Sequence, residues 1–95
     1  MNQLIKTHIQ WIGKEFGGRK KRPTEGAKHN IRWQRYIQES FKDLLDVQII
    51  EINSENNVVT LQFSKNIIVP SKYITSGQLI ELLDAYNVVG IGKII

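Results

Sequence analysis

Gln48-Ile49-Ile50-Glu51-Ile52-Asn53-Ser54-Glu55-Asn56-Asn57-Val58-Val59-Thr60-Leu61-Gln62-Phe63 has the pattern of a β-hairpin. Gln48, Ile50 and Ile52 alternate with Ile49, Glu51 and Asn53. Val59, Leu61 and Phe63 alternate with Val58, Thr60 and Gln62. The five polar residues between the two runs supply the turn. An antiparallel pair of this kind sets one face on a core and the other in water. What surrounds the hairpin then decides the fold class.

Downstream, Ile67, Ile68 and Val69 form a short apolar run that Pro70 ends, a third strand. Residues 76–86 have helical features. Thr75 and Gln78 fit a capping box, and Ile74 with Leu79 fits a hydrophobic staple. Leu79, Ile80, Leu82, Leu83 and Tyr86 make a buried side, while Glu81 and Asp84 face out. Residues 88–95 hold five Val or Ile and are expected to pair into the sheet. Gly90 and Gly92 project to the same side, where another element can approach closely.

Upstream, Asn30 suits a helix N-cap. Trp33, Ile37, Phe41 and Leu44 or Leu45 then form the apolar stripe of a helix over 31–45. Residues 17–29 show no apolar pattern and are expected to be a polar loop. Residues 3–16 place Ile5, Ile9, Ile12 and Phe16 at helical spacing, with Gly17 as a stop. The sum is one α+β domain over 1–95 in the order ααβββαβ. Its sheet is mainly antiparallel, with helices packed on one face.

The chemistry is concentrated in Gly17-Gly18-Arg19-Lys20-Lys21-Arg22-Pro23, four consecutive cations between helix-breaking residues. Lys14 precedes the run, and Lys28, Arg32 and Arg35 follow it. Residues 1–36 carry nine Lys or Arg and two acids; residues 37–95 carry four and seven. Clustered cations reward a phosphate backbone through counterion release, whatever the base sequence. Trp11, Phe16, Trp33 and Tyr36 lie near the run and offer rings for stacking on bases. Trp11 and Trp33 sit at core spacing, which leaves Tyr36 as the best placed of the four. The expected binding set is Lys14, Arg19, Lys20, Lys21, Arg22, Lys28, Arg32, Arg35 and Tyr36, and the expected partner is nucleic acid, DNA or RNA.

Other chemistries find little footing. With no cysteine there is no disulfide or thiolate site. His8 and His29 lack a third ligand at metal spacing, no nucleophile lies in a recognisable elbow, and no cofactor motif is present. Gly90-Ile91-Gly92-Lys93 resembles part of a phosphate loop but has no helix after it. A non-enzymatic protein without metal or cofactor is expected. No apolar run nears the roughly 20 residues of a membrane span, and the first residues lack a signal-peptide layout. A cytoplasmic protein without membrane attachment is therefore expected. Fifteen Ile and seven Asn against two Ala suggest a genome poor in G and C, bacterial, phage or archaeal-viral. The competing reading is a structural or adaptor subunit of an assembly, such as a phage component. In that case the C-terminal strand would be a sheet edge shared with a neighbour or with a second copy.

Overall fold

The computed structural model describes residues 3–16, 23–33, 45–64, 67–85 and 87–95. They form six antiparallel strands: β1 (Leu4–Trp11), β2 (Lys28–Trp33), β3 (Leu45–Asn53), β4 (Val58–Phe63), β5 (Leu79–Asp84) and β6 (Asn87–Ile94). The strands close into a barrel in the order β1-β4-β3-β2-β5-β6, and β6 returns to β1. Within it, β2, β3 and β4 follow one another and β5 comes back beside β2, a Greek key.

The α+β expectation is thereby overturned. Among the described residues the only helical pieces are 3₁₀ turns at Lys14–Phe16 and Ser71–Tyr73. The helix expected over 3–16 is β1 followed by a turn. Thr7 is the reason: it is fully buried, and its hydroxyl donates to the Val59 carbonyl at 3.2 Å. Ile5, Thr7 and Ile9 thus line one face with a period of two, while Leu4, Lys6, His8 and Gln10 face out. The helix expected over 31–45 begins inside β2 and ends at the start of β3; residues 34–44 lie outside the described residues. Asn30 is a strand residue whose amide donates to Asp46 at 2.6 Å, not a cap.

The helix expected over 76–86 is β5, with Tyr86 outside the described residues. Leu82 and Leu83 are adjacent and both buried, and adjacent buried residues imitate a helical face. Leu82 belongs to the core, whereas Leu83 stands opposite Asn30 and outside that cluster; the bulge beside them leaves its extra residue, Val89, on β6. Residues 67–69 are not a strand. They belong to the connection from β4 to β5, which carries Val69 and Tyr73 into one end of the barrel as a plug. The Gln3 side chain ties this plug to the entrance of β1. Its amide donates to the Val69 carbonyl at 3.0 Å and its oxygen accepts from the Val69 amide at 2.6 Å.

The hairpin of β3 and β4 lies where the alternation puts it, with a shift between Ile49 and Glu51. Ile50 is the extra residue and points outward, so Val47 and Ile49 precede the bulge on the inner face and Ile52 resumes it. The turn is held by its own asparagines: Asn53 accepts from the Glu55 amide and Asn56 from the Val58 amide, both at 3.1 Å. Asn57 adopts φ 57°, a left-handed conformation that asparagine tolerates.

A six-stranded barrel has room for side chains only. Ile9, Ile31, Ile49, Leu61, Ile80, Leu82 and Val89 fill it, and Trp33, Phe63 and Tyr73 close the plugged end. Gly92 makes the space that Ile9 occupies: a Cβ there would lie 2.8 Å from Ile9 Cδ1 and 3.2 Å from Ile80 Cγ1. Gly92→Val therefore overfills the seam between β1 and β6. It should lower stability by about 1–3 kcal/mol, read from the midpoint of urea unfolding. A midpoint equal to wild type would show that the seam is loosely filled.

Candidate functional site

Charge is distributed unevenly over this fold. The described residues hold six Lys or Arg and seven Asp or Glu, a net charge of −1. Residues 17–22 alone hold four cations and no acid. The excess positive charge of the chain is therefore not spread over the barrel. In the sequence it falls mainly in residues 17–22, between β1 and β2.

Of the expected binding residues, Arg19, Lys20, Lys21, Arg22, Arg35 and Tyr36 lie outside the described residues. Lys14 opens the 3₁₀ turn that follows β1. The loop expected over 17–29 is shorter than it reads, because Pro23 is buried and β2 starts at Lys28. Gly26 and Ala27 extend the pairing to β3: the Gly26 amide donates to the Ile49 carbonyl at 2.7 Å, and the Ile49 amide to the Ala27 carbonyl at 2.9 Å.

Lys28 and Arg32 are both on β2 but differ in state. Lys28 is exposed and makes no ion pair with any described acid. Arg32 faces Glu81 across the β2–β5 register, and its Nε donates to the Glu81 carboxylate. The pair is partly exposed, so it adds little stability, but it occupies the guanidinium.

A cleft of about 530 Å³ opens on the β2–β3–β4 side, lined by Lys28, Asn30, Asp46, Gln48 and Gln62 among others. The register sets Lys28 opposite Gln48, and Gln48 opposite Gln62. Gln48 donates to the Gly26 carbonyl at 3.1 Å. Asp46 and His29 are among the lining residues, beside the neutral amides of Asn30, Gln48 and Gln62.

The aromatic candidates separate clearly. Trp33 is buried, stacked on Phe63 with centroids 6.1 Å apart, and its indole N–H donates to the Tyr73 carbonyl. Trp11 is half-buried against the core. Phe16 is 80% exposed, directly before Gly17. Its helical spacing from Ile12 suggests a core residue; the period-two reading of β1, which ends at Trp11, would have released it.

His8 is exposed on the outer face of β1, whereas His29 is buried with Nδ1 3.2 Å from the Leu83 carbonyl. Among the described residues no group of three or more His, Cys, Asp or Glu is placed to hold a metal ion. None of their helices is long and apolar enough to cross a membrane. The described residues form a closed antiparallel barrel, and the sequence sets a run of four cations between its first two strands. No family model, curated protein or solved structure matches the chain.

Proposed function

We propose that the protein is a non-enzymatic nucleic-acid-binding barrel that grips the phosphate backbone with residues 17–22. The observation that carries this reading is the separation of charge. A body of net charge −1 bears an insertion of four adjacent cations. Four like charges side by side repel one another and find compensation in a polyanion. The exposed ring of Phe16, next to the insertion, adds a face on which an unpaired base stacks. Lys28, at the start of β2, extends the cationic surface toward the cleft. The favoured ligand is single-stranded, because a ring beside a cationic run serves unstacked bases better than a closed duplex.

Fluorescence anisotropy with a labelled single-stranded oligonucleotide tests the reading. Four backbone contacts give a slope of about −2.8 in log K against log salt. Wild-type affinity should thus fall roughly 50-fold between 50 and 200 mM salt. Replacing Arg19, Lys20, Lys21 and Arg22 by Ala should remove most of the affinity and flatten the slope, with the thermal melt unchanged. Phe16→Ala should weaken single-strand binding by about 1–3 kcal/mol and leave duplex binding alone. Wild-type protein without salt-sensitive binding to any oligonucleotide would sink the proposal.

A further inference from the structure

The outer surface of the barrel carries two faces of opposite character. One spans β5, β6 and β1. Leu4, Lys6 and His8 share the outer side of β1. Lys93 lies opposite His8 on one side and Leu79 on the other. Ile95 follows, its amide bonded to the Lys6 carbonyl at 3.0 Å. Leu4, Leu79 and Ile95 are 55%, 43% and 57% exposed. Lys6 and Lys93 are exposed and make no ion pair with a described acid. Of the two acids on β5, Glu81 is held by Arg32, and Asp84 lies at the far end of the strand opposite Asn87. The face is apolar and basic, with Lys6 and Lys93 diagonal neighbours on adjacent strands.

The other face lies on β3, which stands opposite β6 in the ring. Ile50, turned out by the bulge, is 43% exposed. Glu51 follows it and Glu55 lies beyond in the hairpin turn; Glu25 reaches the same strand, accepting from the Ile52 amide at 2.9 Å, and all three are exposed. Asp46 extends the acidic character along the strand, and Lys28 lies at its margin beside Gln48. Uncharged Val58, Thr60 and Gln62 of β4 separate the two faces on one flank, and the Arg32–Glu81 pair separates them on the other. Open strand edges play no part, since β6 is hydrogen-bonded to both β1 and β5.

We propose that copies of this chain associate head to tail, the basic and apolar face of one against the acidic and apolar face of the next. Each face supplies what the other lacks, and neither is complementary to itself. A two-fold dimer is thus disfavoured. Because the faces lie on opposite sides of the barrel, each added copy leaves one free face at either end, which gives open chains or rings. Masking of charge makes the association salt-sensitive.

The test is sedimentation velocity on the full chain, freed of nucleic acid, at 50 and 500 mM salt. Wild type should grow past dimer with concentration at low salt and revert toward monomer at high salt. Lys6→Glu with Lys93→Glu spoils one face, and Ile50→Asp spoils the other. Each variant alone should remain monomeric. Mixed, they should form a one-to-one complex and nothing larger, since each keeps one intact face. All three positions are exposed, and Glu51→Gln with Glu55→Gln replaces Ile50→Asp if that variant fails to fold. The variant with residues 19–22 changed to Ala should assemble like wild type. Monomeric wild type, growth that stops at dimer, no complex on mixing, or loss of assembly on changing residues 19–22 would each overturn the proposal.

Discussion

A chain cut after Gly90 does not fold. Residues 91–95 hold two seams at once. Thr7, His8, Ile9 and Gln10 of β1 pair with Ile94, Lys93, Gly92 and Ile91, and Leu79, Ile80 and Glu81 of β5 pair with Lys93, Gly92 and Ile91. Removing the segment leaves two rows of backbone groups without partners and exposes Ile9 and Ile80, which pack on Gly92. Ile94 is itself buried, and losing a side chain of that size costs about 2–5 kcal/mol. Each lost backbone bond adds about 1 kcal/mol. The total reaches the 5–15 kcal/mol, on the order of the whole stability of a domain. Far-ultraviolet circular dichroism should show no cooperative melt, and amide proton shifts should collapse to the unfolded range. A truncated protein that melts sharply within a few degrees of wild type would mean that the barrel tolerates an open seam.

The single substitution with the largest expected effect is Trp33→Ala. Trp33 ends β2 at the plugged end, where its ring meets Phe63 at 6.1 Å and Tyr73 at 5.7 Å. Its N–H also satisfies the Tyr73 carbonyl. Truncation empties the joint between barrel wall and plug, at a cost of about 3–5 kcal/mol, and leaves a buried carbonyl without that donor. Trp33→Phe keeps most of the ring contact and loses the hydrogen bond, a smaller loss of about 1–3 kcal/mol. Urea unfolding followed by circular dichroism should rank wild type above the Phe variant and the Phe variant above the Ala variant. An Ala variant within 1 kcal/mol of wild type would contradict the packing described here, by the usual range for buried aromatics.

The elements that sequence makes legible are those whose inner face is purely apolar and whose ends are marked. β4 is one, with Val59, Leu61 and Phe63 inward and an asparagine-rich turn before it. β6 is another, rich in Val and Ile and broken mainly by glycines, with Lys93 facing out. The misread strands each bury something that pattern reading counts as polar, or double an apolar residue. Thr7 hides the alternation of β1, His29 hides that of β2, and the adjacent buried Leu82 and Leu83 give β5 a helical look. Barrel closure is a long-range fact that no local window contains. The same holds for the charges. Their concentration in residues 17–22 is plain in sequence, but the pairing of Arg32 with Glu81 depends on the β2–β5 register. The two opposite faces depend on strand order, which brings Lys6 and Lys93 together from the two extremes of the chain.

Closure between β1 and β6 also governs when the fold can form. During synthesis β1 emerges first and gains a neighbour only when β4 arrives, then a second only when β6 follows. Until then its apolar side, Ile5 and Ile9, has no enclosed space to enter. The β3–β4 hairpin can assemble early from contacts near in sequence, whereas the final ring waits for the pairing of Thr7 with Ile94. Proteins dominated by such distant pairings fold in milliseconds to seconds rather than microseconds. A nascent β1 is therefore a segment that profits from shelter by a chaperone, and the rate of translation through residues 34–78 sets how long that shelter is needed.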